Sequence, residues 1–147
     1  MVLILDRSSR DRKHLRFNIR DHSIEFSPFD FALVTGLRFR TLPTTPASSA
    51  FHTLLFDGRP DIRFDEIEDL FIGKCNPHGG AGEICLKLAL LYIVYGVILY
   101  HRQLSRVVNT RYIHLVDDIQ LFDSFSWGLV AYDHLVECTH ATRDSLD

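Results

Sequence analysis

The sequence predicts an α+β fold dominated by helices: an N-terminal β-ribbon packed on five or six helices around one central apolar helix. Three observations predict it. Leu15, Phe17 and Ile19 alternate with polar residues, and Ile24 and Phe26 alternate with Ser23 and Glu25. That period of two belongs to half-buried strands. Directly after the second strand, Ser27 supplies a cap and Pro28 a first helical residue whose missing N–H costs nothing, while Gly36 offers a left-handed stop. The run 88–100, LALLYIVYGVILY, is 13 residues without a charge. A membrane span needs about 20, and Lys87, His101 and Arg102 bound this one, so it reads as a buried central helix.

Taken in order, the ribbon strands lie at 14–19 and 23–26, joined by a turn at Arg20-Asp21-His22. The first helix covers 28–35, with Phe29, Leu33 and Val34 at helical spacing. TLPTTPASS, 41–49, is the clearest loop, because Pro43 and Pro46 break regular structure. Amphipathic helices follow at 49–56 and 64–72, separated by Asp57-Gly58 and Pro60. In the second, Phe64, Ile67, Leu70 and Phe71 form the apolar stripe, and Asp65, Glu66, Glu68 and Asp69 face solvent. GKCNPHGGAG, 73–82, is a second loop. The long helix 83–103 is apolar on most faces and is expected to be surrounded, with Gly96 permitting a close crossing. Thr110 caps a helix at 111–122 that buries Tyr112, Leu115, Val116, Ile119 and Phe122. A last helix starts at Trp127 and runs to Glu137 or beyond. The reading is one domain over 1–147, with a basic arm at 1–13 and a polar tail at 140–147.

A chain of 147 residues with this composition buries a substantial core. A net charge of −3 argues against general electrostatic attraction to nucleic acid. The local exception is the N-terminal stretch with Arg7, Arg10, Arg12, Lys13, Arg16 and Arg20, which Arg38 and Arg40 extend. Cys75, Cys85 and Cys138 are an odd set without a framework, which reads as free thiols in a reducing compartment. The opening Met-Val-Leu-Ile-Leu is too short for a signal-peptide core.

Three segments, in this order, resemble a known family. They are LRFNIRDHSIEFSPFDFALVTGL at 15–37, LKLALLYIVYGVILYHRQ at 86–103 and YIHLVDDIQLFDSFSWGLVAYDHLV at 112–136. Together they are similar to a plant domain of unknown function that often lies upstream of ubiquitin-like-protein (SUMO-type) cysteine proteases in transposon-derived proteins. Two departures stand out. Phe125-Ser126 replaces a usual Tyr-Pro before Trp127-Gly128, and Leu129 stands where a basic residue is common. The family also has a further N-terminal segment, so the chain reads as starting inside it. The resemblance implies a plant protein in a nuclear or cytoplasmic setting, and it supplies no catalytic residues to carry over.

Cys75, His78 and Cys85 offer three soft metal ligands, where structural zinc takes four. His101 and Cys138 are the possible fourth. Cys138, His134 and Asp133 are close in sequence but lie on one helix without an oxyanion hole. NPHGGAG, 76–82, lacks the lysine and hydroxyl of a phosphate-cradling loop, and Glu83 repels anions there. Asp117 and Asp118 diverge by about 100° on a helix and read as surface partners of Arg111 or His114. Trp127 reads as a core anchor, or, where exposed, as a contact hot spot, with Tyr92, Tyr95, Tyr100 and Tyr132 extending that surface.

The leading expectation is a non-enzymatic protein-interaction module, without cofactor or membrane contact, that binds an unidentified protein or a second copy of itself. The alternatives are a nucleic-acid accessory domain using Arg10, Arg12, Lys13 and Arg16, and a zinc-stabilised domain around Cys75, His78 and Cys85.

Overall fold

The computed structural model describes residues 4–5, 14–19, 22–75, 82–99 and 107–144. They fall into two compact units, Met1–Thr41 with Ser126–Asp147, and Leu42–Phe125. The fold is α+β and mostly helical, as the pattern of the sequence predicts.

The first unit opens with a three-stranded antiparallel sheet in the order β1 (Ile4–Leu5), β2 (Leu15–Ile19), β3 (His22–Phe26). The sequence reading contained only the last two strands. Leu15 faces Phe26 and Phe17 faces Ile24 across the ribbon, with Arg16 opposite Glu25 on the other side. Helix α1 is Pro28–Thr35. Ser27 and Asp30 form a reciprocal capping box at its start, and Gly36 ends it at φ 70°. The Ser27 hydroxyl and backbone N–H on the Asp30 carboxyl hold that carboxyl below the ordinary range.

Helix α7, Trp127–Asp144, completes this unit. It extends to Asp144, into the stretch the sequence marks as a polar tail. Leu15, Tyr132 and Val136 form the buried cluster, against which Phe17, Phe26, Phe31 and Phe39 pack. The Tyr132 hydroxyl donates to the Phe26 carbonyl at 2.8 Å. The start of α7 is pinned to the segment after α1: the Gly128 N–H donates to the Arg38 carbonyl at 3.0 Å, and the Arg40 N–H donates to the Ser126 hydroxyl at 2.7 Å. Phe125 and Ser126, the two residues before Trp127, are both buried.

Among its described residues the second unit holds five α-helices: α2 (Ala50–Phe56), α3 (Phe64–Lys74), α4 (Glu83–Ile93), α5 (Thr110–Leu115) and α6 (Ile119–Ser124). The long helix predicted over 83–103 stays α-helical only to Ile93, and Val94–Ile98 winds on as a π-helical turn. Its continuation at 100–103 lies outside the described residues. Gly96 permits a close crossing, as its sequence position suggested: a Cβ there would meet the Phe64 ring at 3.2 Å. The single helix expected at 111–122 is two. Asp118 leaves helical geometry and its carboxylate accepts the Gln120 and Leu121 N–H groups, capping α6.

Cys75 and Cys85 are disulfide-bonded with their Cα atoms 5.5 Å apart, which corrects the expectation of free thiols at these two positions. Cys138 forms no disulfide. No helix among the described residues is long and apolar enough to cross a membrane.

Candidate functional site

Two arrangements in the second unit concentrate its chemistry, and both start at the first turn of α2. The Ser49 hydroxyl accepts the His52 N–H at 3.1 Å, which fixes that turn. The next free donor, the Phe51 N–H, goes to Asp117 Oδ2 at 3.0 Å. The other Asp117 oxygen takes the Lys87 ammonium at 3.0 Å, and Lys87 also reaches Glu83 one turn back at 2.6 Å. The ammonium stands 5.7 Å from the centre of the Phe51 ring. Around this floor lies a recess of about 620 Å3, walled by Phe51 and Leu54 of α2 and by Ile84 of α4.

The electrostatics follow from the contacts. Burial pushes the Lys87 amine down, but hydrogen bonds to Glu83 and Asp117 outweigh it and hold the amine above its ordinary range. Burial pushes the Asp117 carboxyl up, and the Phe51 N–H and Lys87 outweigh that in the opposite direction. An amine that serves as nucleophile or base must lose its proton readily. Lys87 is arranged to keep its proton, and the floor of the recess is ion-paired. The expected pairing of Asp117 and Asp118 with Arg111 or His114 is therefore replaced by a link from α2 to α4 and by a helix cap.

Beside Asp117's partner Phe51, His52 enters the core and meets His114 of α5. Both rings are buried. His114 Nε2 lies 3.1 Å from His52 Nδ1, while His52 Nε2 lies 2.8 Å from the Arg59 carbonyl and His114 Nδ1 lies 3.0 Å from the Pro46 carbonyl. Nothing in the sequence reading joined these two histidines, which are 62 residues apart.

The chain's exposed apolar surface is the third feature. The central helix buries Leu88, Leu91, Val94 and Tyr95 but leaves Leu86 51%, Ile93 48% and Val97 68% exposed. It was expected to be surrounded, and the structure leaves one stripe uncovered. In the first unit, α1 turns Phe31 toward the aromatic cluster and leaves Phe29 70%, Leu33 69% and Val34 79% exposed. The helically spaced set that the sequence singled out is thus its outer face.

The predicted contact residues are placed as follows. Trp127, Tyr95 and Tyr132 are buried, so Trp127 is a core anchor. Tyr95 donates to the Asn109 carbonyl at 2.6 Å. Tyr92 is half-buried, stacked between Phe64 and Phe71, and donates to Glu68 at 3.2 Å. Tyr100, Arg10, Arg12, Lys13 and His78 lie outside the described residues. Arg16 sits on β2 with its guanidinium 3.5 Å from Glu25, which offsets its charge. The disulfide holds two of the three sulfur and nitrogen ligands proposed for zinc in a form without thiolates. Cys138 Sγ lies 3.5 Å from His134 Nε2, one turn apart on α7.

A family model described as a domain of unknown function, DUF1985, matches residues 6–138. The chain belongs to the DUF1985 family. The match spans β2 through most of α7 and so takes in both units. No curated protein matches this DUF1985 chain, and no solved structure does.

Proposed function

We propose that this DUF1985 domain is a non-enzymatic protein-interaction module. The observation that carries the reading is the uncovered stripe of the central helix, where Leu86, Ile93 and Val97 face solvent. Leu90, Ile93 and Val97 repeat at the four- and three-residue spacing of a helix-packing seam, with Leu86 one turn before. A partner that covers such a seam supplies an apolar helix face of its own. The charge-keeping lysine in the neighbouring recess supports recognition over catalysis. The resemblance to plant, transposon-derived proteins with a downstream SUMO-type protease supports a nuclear or cytoplasmic setting, in which the domain recruits a protein partner or a second copy.

Size-exclusion chromatography with light scattering, at low and high salt, tests this together with affinity capture from source-tissue extract. Wild type is expected to self-associate or to retain a defined protein, and Ile93→Glu with Val97→Glu is expected to abolish it while the far-UV spectrum stays unchanged. A monomer that retains the same proteins with and without the two glutamates would refute the reading.

A further inference from the structure

We infer that the buried His52–His114 pair is a binding site for one shared proton, which latches four segments of the second unit together. The inference follows from counting protons along a chain of contacts. The Arg59 and Pro46 carbonyls can only accept. His52 Nε2 at 2.8 Å and His114 Nδ1 at 3.0 Å must therefore each carry the proton they donate. A neutral imidazole has one N–H, and in each ring it is already in use. His52 Nδ1 and His114 Nε2 would then face each other at 3.1 Å as two lone pairs. One added proton turns this repulsion into an N–H···N hydrogen bond of ordinary length and satisfies all four nitrogens.

The surroundings suit one positive charge and no more. Both rings are buried, and their centres are 4.9 Å apart, so the charge spreads over two imidazoles whose far ends rest on carbonyl oxygens. A second proton would leave both facing nitrogens as donors. The charged groups on the neighbouring elements are engaged elsewhere. Arg59 pairs with Glu66, and Arg111 donates to Thr45 with its guanidinium over the Phe125 ring. Lys87 pairs with Glu83 and Asp117. Asp57 and Asp61 are exposed, α2 itself has no charged side chain, and neither does the loop 42–49. Two nitrogens alone make a poor metal site, and among the described residues no group of three or more metal-ligating side chains assembles.

The consequence is a proton taken up on folding. An unfolded chain's histidines exchange protons near pH 6.5, so there the two rings hold two protons well below that value and none well above it. The latched pair holds one. Pro46, His52, Arg59 and His114 bring the loop 42–49, α2, the turn after it and α5 to one latch, so the shared proton ties these segments together.

The test is urea unfolding of the full chain from pH 5 to 9, for wild type and His52→Gln with His114→Gln. Wild type should take up one proton on folding at pH 7.5, and the double variant should lose that uptake while the other six histidines keep theirs. Nitrogen-15 NMR of the wild-type imidazoles is the independent measurement if the variant does not fold: three N–H protons on the two rings are expected at pH 7.5. Two N–H protons, or no difference in proton uptake between wild type and variant, would overturn the inference. So would a metal found at one per chain whose removal by chelator abolishes the pH dependence.

Discussion

Replacing Gly128 by alanine tests the corner that joins α7 to the segment after α1. A Cβ on Gly128 would stand 2.6 Å from two atoms of the Phe39 ring and 2.7 Å from the Arg38 carbonyl oxygen. Ordinary contacts begin near 3.4 Å, so something must move by the better part of an ångström. The ring has room to turn only at the expense of its edge contact with Phe31, centroids 6.3 Å apart. The carbonyl is less free, because it already accepts the Gly128 N–H at 3.0 Å. Overpacking of this kind costs about 1–3 kcal/mol, and weakening the hydrogen bond adds about 1 kcal/mol. Better helix propensity returns up to about 1 kcal/mol. The net expectation is a loss of about 1–3 kcal/mol, or a Tm roughly 3–10 °C lower for a domain of this size. Gly73→Ala is the control. It lies within α3 with nothing inside 4 Å of the added atom, and the same propensity argument makes it neutral or stabilising by up to about 1 kcal/mol. The assay is thermal and urea unfolding followed by circular dichroism. Gly128→Ala as stable as Gly73→Ala would refute the close approach.

Further outcomes are expected at Tyr95 and at the disulfide. Tyr95→Phe removes the hydroxyl that the Asn109 carbonyl accepts from and is expected to cost about 1 kcal/mol. Burial pushes the Tyr95 phenol well above its ordinary range, so its contribution is complete below about pH 10 and is lost as pH rises beyond that; alkaline unfolding of wild type should be steeper than that of the variant. Cys75→Ser opens a loop closed over a separation of 10 residues and is expected to cost about 3 kcal/mol on chain-entropy grounds. Thiol titration of the oxidised protein in denaturant should find one sulfhydryl, Cys138, and three after reduction.

What the sequence made legible was local. Ser27, Pro28 and Gly36 bracket α1 at the residues where the structure begins and ends it, because caps and left-handed stops act within four residues. What it concealed was the direction an element faces. Phe29, Phe31, Leu33 and Val34 make α1 apolar nearly all round, so periodicity could not say that Phe31 points inward and the other three outward. The same ambiguity hid the uncovered stripe of the central helix. The break at Asp118 was readable in principle, since an acid followed by two open N–H donors is a cap; it was masked by an apolar spacing that stays in phase across it. The strand at Ile4–Leu5 has too few residues for alternation to register.

The site was the least legible part, and the reason is physical. Lys87 and Asp117, 30 residues apart, and His52 and His114, 62 apart, carry no motif, since each meets its partner only after α2 has been set against α4 and α5. Each pair puts polar groups where burial is costly, and each is satisfied there by a backbone group as well as by the other side chain. Such satisfaction makes these residues specific to one arrangement of the helices. A slip of α2 by one residue would take the Phe51 N–H from Asp117 and part the two histidines at once. The polar pairs thus fix the register of a unit whose helices are short and whose hydrophobic pattern alone is degenerate. That register is also what sets α4 with Leu86, Ile93 and Val97 outward, so the surface proposed for partner binding depends on the buried chemistry behind it.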